Sequence, residues 1–127
     1  MNHVIRLLVE IRNGMMAKKQ TIRFVHNKNC VNVLKKLTEE NFIMGYKKVR
    51  GERHLHIYLR YLSTGTPAFT SLIILSRPLR PNYLSYKSLC QIVGDVGVFL
   101  IFTKEGILTA QECLYKKLGG ICLCYIR

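Results

Sequence analysis

Apolar residues near the start of the chain recur at helical spacing: Val4, Leu7, Leu8, Ile11 and Met15 share one face. Arg6 and Glu10, four apart, support one another on a second face. Asn13-Gly14 predicts the helix stop, because both residues tolerate a left-handed cap. Thr21–His26 alternates, with Ile22 and Phe24 on one side and Arg23 on the other, which predicts a strand. A second helix is expected from about Cys30, with Cys30, Val33, Leu34 and Leu37 as its apolar stripe and Asn41 closing it. Phe42–Val49 and His54–Leu62 read as a hairpin turning at Arg50-Gly51-Glu52. In its second strand Leu55, Ile57 and Leu59 share one face, and His54, His56, Tyr58 and Arg60 the other.

The pattern breaks at Ser63-Thr64-Gly65-Thr66-Pro67, a natural boundary between lobes. Beyond it the expected order is a strand, Phe69–Leu75, then a basic loop, Ser76-Arg77-Pro78-Leu79-Arg80-Pro81-Asn82-Tyr83. Two prolines restrict that loop and lower the entropy lost when its arginines are held by a partner. A short helix near Tyr86–Ile92 and a Gly94-Asp95-Val96-Gly97 turn lead to a strand, Val98–Phe102. The polar turn Thr103-Lys104-Glu105-Gly106 and a short strand, Ile107-Leu108, follow. Thr109-Ala110-Gln111-Glu112 is a capping box, in which hydroxyl and carboxylate satisfy first-turn amides. That helix is expected to stop at Gly119-Gly120 and Ile121–Ile126 to form the last strand. The reading is an α+β protein of two small lobes. Residues 1–62 form an N-terminal α-β-α-β-β lobe, 63–68 a linker, and 69–127 a C-terminal β-rich lobe with short helices.

Charge narrows the class of partner. Lys and Arg number 20 against 7 carboxylates, a formal net charge of +13 on a chain that is 49% hydrophobic. No carboxylate occurs from Arg53 to Gly94, where Arg53, Arg60, Arg77, Arg80 and Lys87 do. A folded domain this basic points to a polyanion rather than to a disordered tail. Five cysteines form an odd set without framework spacing and read as reduced thiols in apolar surroundings. The longest apolar runs are too short to span a bilayer, and no membrane partner is expected. The helical pattern begins almost at Met1, so neither a secretory signal nor a presequence is expected. Few alanines beside many Ile, Asn, Lys, Phe and Tyr are what an AT-rich organelle genome would encode.

Catalytic and metal chemistry find little support. Cys122-x-Cys124 and His54-x-His56 each place two ligands on one strand face, but four converging ligands are missing. Core thiols and a surface histidine pair are the preferred reading. Asp95 is the only Asp, and there is neither a phosphate-cradling loop nor a nucleophile elbow. No catalytic residue, metal site or cofactor is expected. Nucleic-acid contact fares better. Thr103 supplies a hydroxyl, Lys104 a cation, and Gly106 lets backbone amides approach a phosphate or 2′-OH, although the same four residues also make a plain hairpin turn. Tyr83, near Arg77 and Arg80, either stacks on an extruded base or covers the core rim. Arg12 and Asn13 with Lys18 and Lys19 make a second cluster, otherwise a solvated loop.

An ordered set of segments carries a resemblance. Ile11-Arg12-Asn13-Gly14, Glu39-Glu40-Asn41-Phe42-Ile43, Ser76-Arg77-Pro78, Gly106-Ile107-Leu108-Thr109 and Leu118-Gly119-Gly120-Ile121-Cys122-Leu123-Cys124-Tyr125 are similar, in this order, to the small-ribosomal-subunit protein eight family of bacteria and organelles. The resemblance implies a two-lobed α/β protein that binds small-subunit rRNA directly, early in assembly. In that family the C-terminal lobe grips a central-domain helix and the N-terminal lobe adds contacts. By position, Thr103, Lys104 and Gly106 match the family's Ser-Thr-Ser-Lys-Gly turn, Tyr83 its loop tyrosine, and Arg12 and Asn13 its N-terminal Arg-Asn. The chain departs from the family at Phe102 (serine there), at Lys104-Glu105 (Ser-Lys), at Leu79 (glycine) and at Ile121 (glutamate). The implied partners are small-subunit rRNA and neighbouring ribosomal proteins, without a homo-oligomer. The implied place is the mitochondrial matrix, with the plastid as alternative. Anchoring mainly by protein neighbours, with degenerate RNA contacts, is the alternative function.

Overall fold

A computed structural model describes residues 2–77, 79–92 and 96–127. The Gly94-Asp95 part of the expected glycine turn lies outside them, as does Pro78. The chain divides into two compact units, Met1–Thr70 and Ser71–Arg127. No helix among the described residues is long and apolar enough to cross a membrane.

In the first unit the order is α1 (Asn2–Met16), β1 (Thr21–Val25), α2 (Lys28–Glu39), β2 (Ile43–Lys48) and β3 (His54–Leu59). The strands form an antiparallel sheet in the order β1-β3-β2, with Ile22 opposite Ile57 and Phe24 opposite Leu55. Those residues are buried with Val4, Leu7, Leu8 and Ile11 of α1 and Val33, Leu34 and Leu37 of α2. Each fully buried Leu or Ile contributes about 1.5–3 kcal/mol. Arg23 and Tyr58 stay exposed on the opposite, open face of the sheet.

Two local expectations are corrected in this unit. Helix α1 runs through Asn13-Gly14 to Met16, and the left-handed residue that ends it is Lys18, at φ 56°. A Cβ on Gly14 would lie 2.9 Å from Ile22 Cγ2 and 3.2 Å from Leu59 Cδ1. That glycine therefore serves close helix–sheet approach, not termination. The segment expected to link the lobes belongs to the first unit. The Leu62 amide donates to the Thr66 carbonyl at 2.7 Å, the Ala68 amide to the Arg60 carbonyl at 3.1 Å, and buried Phe69 meets Phe42 edge-on at 6.0 Å. The apolar ring of Phe69 needs that partner, which carries the boundary to Thr70.

The second unit contains β4 (Leu72–Ile74), β5 (Asn82–Leu84), α3 (Tyr86–Ile92), β6 (Val98–Thr103), β7 (Gly106–Thr109), α4 (Ala110–Lys116) and β8 (Gly120–Ile126). The sheet runs β4-β8-β6-β7, and β5 pairs with the start of β8. Leu89, Ile101, Leu108, Ala110, Cys113 and Cys122 form the core cluster. Thr109 caps α4 through the expected box, at 3.2 Å in both directions. The helix ends at Lys117 (φ 57°), before the two glycines. Its amide donates to the Leu114 carbonyl at 3.3 Å, and that of Leu118 to Cys113 at 2.8 Å, a Schellman stop on a lysine. Gly120 instead answers crowding, since a Cβ there would sit 2.4 Å from the Phe102 carbonyl oxygen.

The pairing of β8 with β6 shifts register at Leu100/Ile101: Cys124 faces Leu100, and Cys122 faces Ile101. Adjacent β6 residues point to opposite faces, so this bulge separates Cys122 from Cys124. The one-face reading of that pair is corrected. Burial pushes the Cys122 and Cys113 thiols up to about 11 and raises Cys124 further, so all three are neutral core groups.

Candidate nucleic-acid interface

β5, β8 and β6 bring one row of side chains together at one end of the second unit's sheet. Tyr83 is opposite Ile121, and Ile121 is opposite Phe102. Residues so placed share a face. The turn after β6 and the C-terminal end of α4 flank the row, closing a groove of about 390 Å³. Tyr83 is 67% exposed beside it, and the exposed lysines Lys104 and Lys117 stand at its rim. Lys117 was missed in the reading of the chain; its signal was the Lys116-Lys117 pair just ahead of Gly119-Gly120.

Within the turn, Thr103 is nearly buried. Its hydroxyl donates to the Gly106 carbonyl at 2.9 Å and accepts from the Glu105 amide at 3.1 Å. Thr103 thus shapes the turn and leaves Lys104 as its outward cation. Gly106, at φ +108°, permits a backbone that an L side chain resists. It borders the turn without lining the groove. Glu105 pairs with Lys116 at 3.7 Å with both side chains about half exposed, which offsets its charge without adding much stability.

The basic loop is tied at its base. The buried Ser76 hydroxyl donates to the Cys122 carbonyl and accepts from the Asn82 amide at 2.9 Å. Arg77 and Arg80 exchange backbone hydrogen bonds at 3.2 and 3.1 Å, which leaves both side chains exposed and Leu79 94% exposed between them. One buried serine therefore holds the base of the loop.

In the first unit, Arg12, Asn13, Lys18 and Lys19 gather at the C-terminal end of α1, where the helix dipole favours cations. The Tyr61 hydroxyl donates to the Lys19 carbonyl and holds the strap after the helix. On the open sheet face, His56 meets Glu52 at 2.8 Å, and Arg23 lies 3.7 Å from the same carboxylate. The His56 hydrogen bond and the nearby cations hold the Glu52 carboxyl below its ordinary value. No cluster of three metal-ligating side chains occurs among the described residues.

Comparison with known proteins follows the same outline. A model of the family described as ribosomal protein S8 matches residues 2–127. The chain is 31% identical to small ribosomal subunit protein uS8 of Thermodesulfovibrio yellowstonii, over 94% of this chain and 93% of that protein. It is 35% identical to uS8 of Rubrobacter xylanophilus, over 94% and 92%. With uS8c of Gracilaria tenuistipitata it shares 33% identity, over 94% and 93%.

Proposed function

This chain belongs to the ribosomal protein S8 family, and we propose that it is a structural, non-catalytic constituent of the small ribosomal subunit that binds small-subunit rRNA directly. The observation that carries the proposal is the groove of the second unit, with Lys104, Lys117 and Tyr83 placed around it. Arg77 and Arg80 extend the contact on a pre-shaped loop, and Arg12, Asn13, Lys18 and Lys19 add a separate one in the first unit. Thr103 and Gly106 hold the turn in position. Affinity comes from counterion release as these cations meet phosphates, and no bond is made or broken. The target is a central-domain helix, contacted as the subunit assembles beside neighbouring ribosomal proteins.

Binding of the full chain to a transcript of the small-subunit central domain tests this. Neutralising about six phosphates gives a log–log salt slope near −5 on a duplex. Lys104→Ala with Lys117→Ala weakens binding more than Lys28→Ala with Lys35→Ala in α2. A flat salt response, or equal losses for the two pairs, would reject the assignment. Apolar Phe102 and Ile121 in the groove support a second reading, anchorage chiefly by protein neighbours; a chain that enters subunits but ignores the naked transcript selects it. The compositional bias supports an organellar ribosome. The mitochondrial matrix is proposed, the uS8c relatives support the plastid instead, and organelle fractionation decides.

A further inference from the structure

The helices of the first unit cover one face of its sheet and leave the other to solvent. Along β3 that open face carries three rings at alternate positions, His54, His56 and Tyr58, with Tyr58 exposed and both histidines partly so. Two exposed cations stand cross-strand from His56, Arg23 of β1 on one side and Lys47 of β2 on the other. The nearby carboxylate of Glu52 meets His56 at 2.8 Å and Arg23 at 3.7 Å. The first contact fixes the His56 ring. The second is exposed and contributes little, so Arg23 can turn to another anion. Tyr58 stands between Thr21 and Gly45, and a Cβ on Gly45 would meet nothing within 4 Å, so the sheet beside that ring is bare.

The spacing selects the partner. Side chains two residues apart on a strand stand about 6.8 Å apart, twice the step of about 3.4 Å between stacked bases of one nucleic-acid strand. Successive bases therefore reach successive rings only when they are unstacked, which a duplex does not allow. We propose that the open face of the first unit's sheet is a platform for a short unpaired stretch of RNA, about two or three bases stacking on His54, His56 and Tyr58 while Arg23 and Lys47 take its phosphates. An acidic peptide would satisfy the two cations but leave the rings without a planar partner. The platform shares no residue with the groove of the second unit and goes beyond the central-domain contact proposed there.

Anisotropy of a fluorescein-labelled single-stranded RNA dodecamer of mixed sequence, and of the same strand in a blunt duplex, tests this with the full chain. His54→Thr with Tyr58→Thr keeps strand propensity on the open face, and the urea midpoint checks that the fold survives. That pair is expected to weaken the single strand about tenfold or more, the scale of a lost base stack, and to leave the duplex within about twofold. Tyr58→Phe in place of Tyr58→Thr restores the ring without the hydroxyl and recovers part of the loss. Lys47→Gln lowers the salt slope of the single strand by about 0.7, one phosphate contact. Equal losses for strand and duplex, or no loss for the strand, overturn the inference. So does a labelled glutamate decapeptide whose affinity falls as far as the strand's when the rings are replaced, because the face then takes acidic peptides. A central-domain transcript that binds while the single strand does not overturns this inference alone; a strand held by these rings while the transcript is ignored overturns only the central-domain reading.

Discussion

The two units solve the same packing problem in different ways. The first lays two amphipathic helices on one face of a three-stranded sheet and leaves the other face polar, so β1 alternates strictly between exposed and buried. In the second, consecutive residues Leu100 and Ile101, and Cys122 through Cys124, are all inaccessible. Alternation disappears there, and a bulge and a glycine take over the task of fitting strands together. The difference teaches where each unit tolerates change. Crowding at Gly14 falls on side-chain methyls, and at Gly120 on backbone that cannot yield.

Two glycines put that contrast to its hardest test. Gly120→Ala drives a Cβ into the Phe102 carbonyl and is expected to cost about 2–3 kcal/mol in urea unfolding. Gly14→Ala meets the branch methyl of Ile22 at 2.9 Å and the tip of Leu59 at 3.2 Å, and helix propensity offsets part of that crowding, so it is expected to cost less than Gly120→Ala, about 1 kcal/mol. Equal costs would erase the distinction. Next in size comes alkaline pH. An unfolded chain ionises its thiols near 9.0, whereas Cys113 and Cys122 remain protonated to about 11 when folded. Their contribution is complete below pH 9 and is lost as pH climbs toward 11. Cys113→Ala with Cys122→Ala should flatten the fall in the urea midpoint over that window; an unaltered slope would place its origin elsewhere.

Thr109→Ala removes the cap of α4 and is expected to lower stability by about 1 kcal/mol, seen as an earlier thermal midpoint. The smallest effect has the opposite sign. Lys18 and Lys117 end the helices of their units in the left-handed region that glycine occupies without strain. Lys18→Gly and Lys117→Gly should each raise stability by about 0.5–1 kcal/mol. Both should do so while weakening RNA binding, Lys117→Gly through the groove and Lys18→Gly through the separate contact of the first unit, so that stability and affinity move in opposite directions in each variant.

Elements whose cause is local were legible in the chain. The stripe of α2, the alternation of β1, the hairpin of β2 and β3, and the Thr109–Glu112 box all follow from residues close in sequence, and each appears where expected. Asn41 also closes α2 in the left-handed region, at φ 64°. Of the residues expected to form the candidate site, Tyr83, Thr103 and Lys104 line one groove, while Gly106 borders only the turn. Lys117 was missed because a lysine at a helix end looks like ordinary solvated charge. Strand β5 was hidden in a basic loop, because three residues carry no period and pair only when β8 lies beside them.

Periodicity, caps and turn chemistry, set by sterics between chain neighbours, were enough to determine the α+β class and the order of every element but β5, and composition alone set the basic character of this protein. Tertiary structure alone decided that Cys122 and Cys124 part company, that Gly14 and Gly120 serve close approach rather than helix ends, and that the Thr103 hydroxyl turns inward. Each of those outcomes depends on an atom supplied by another strand or helix, and a linear pattern carries no record of which backbone will come within a few ångströms.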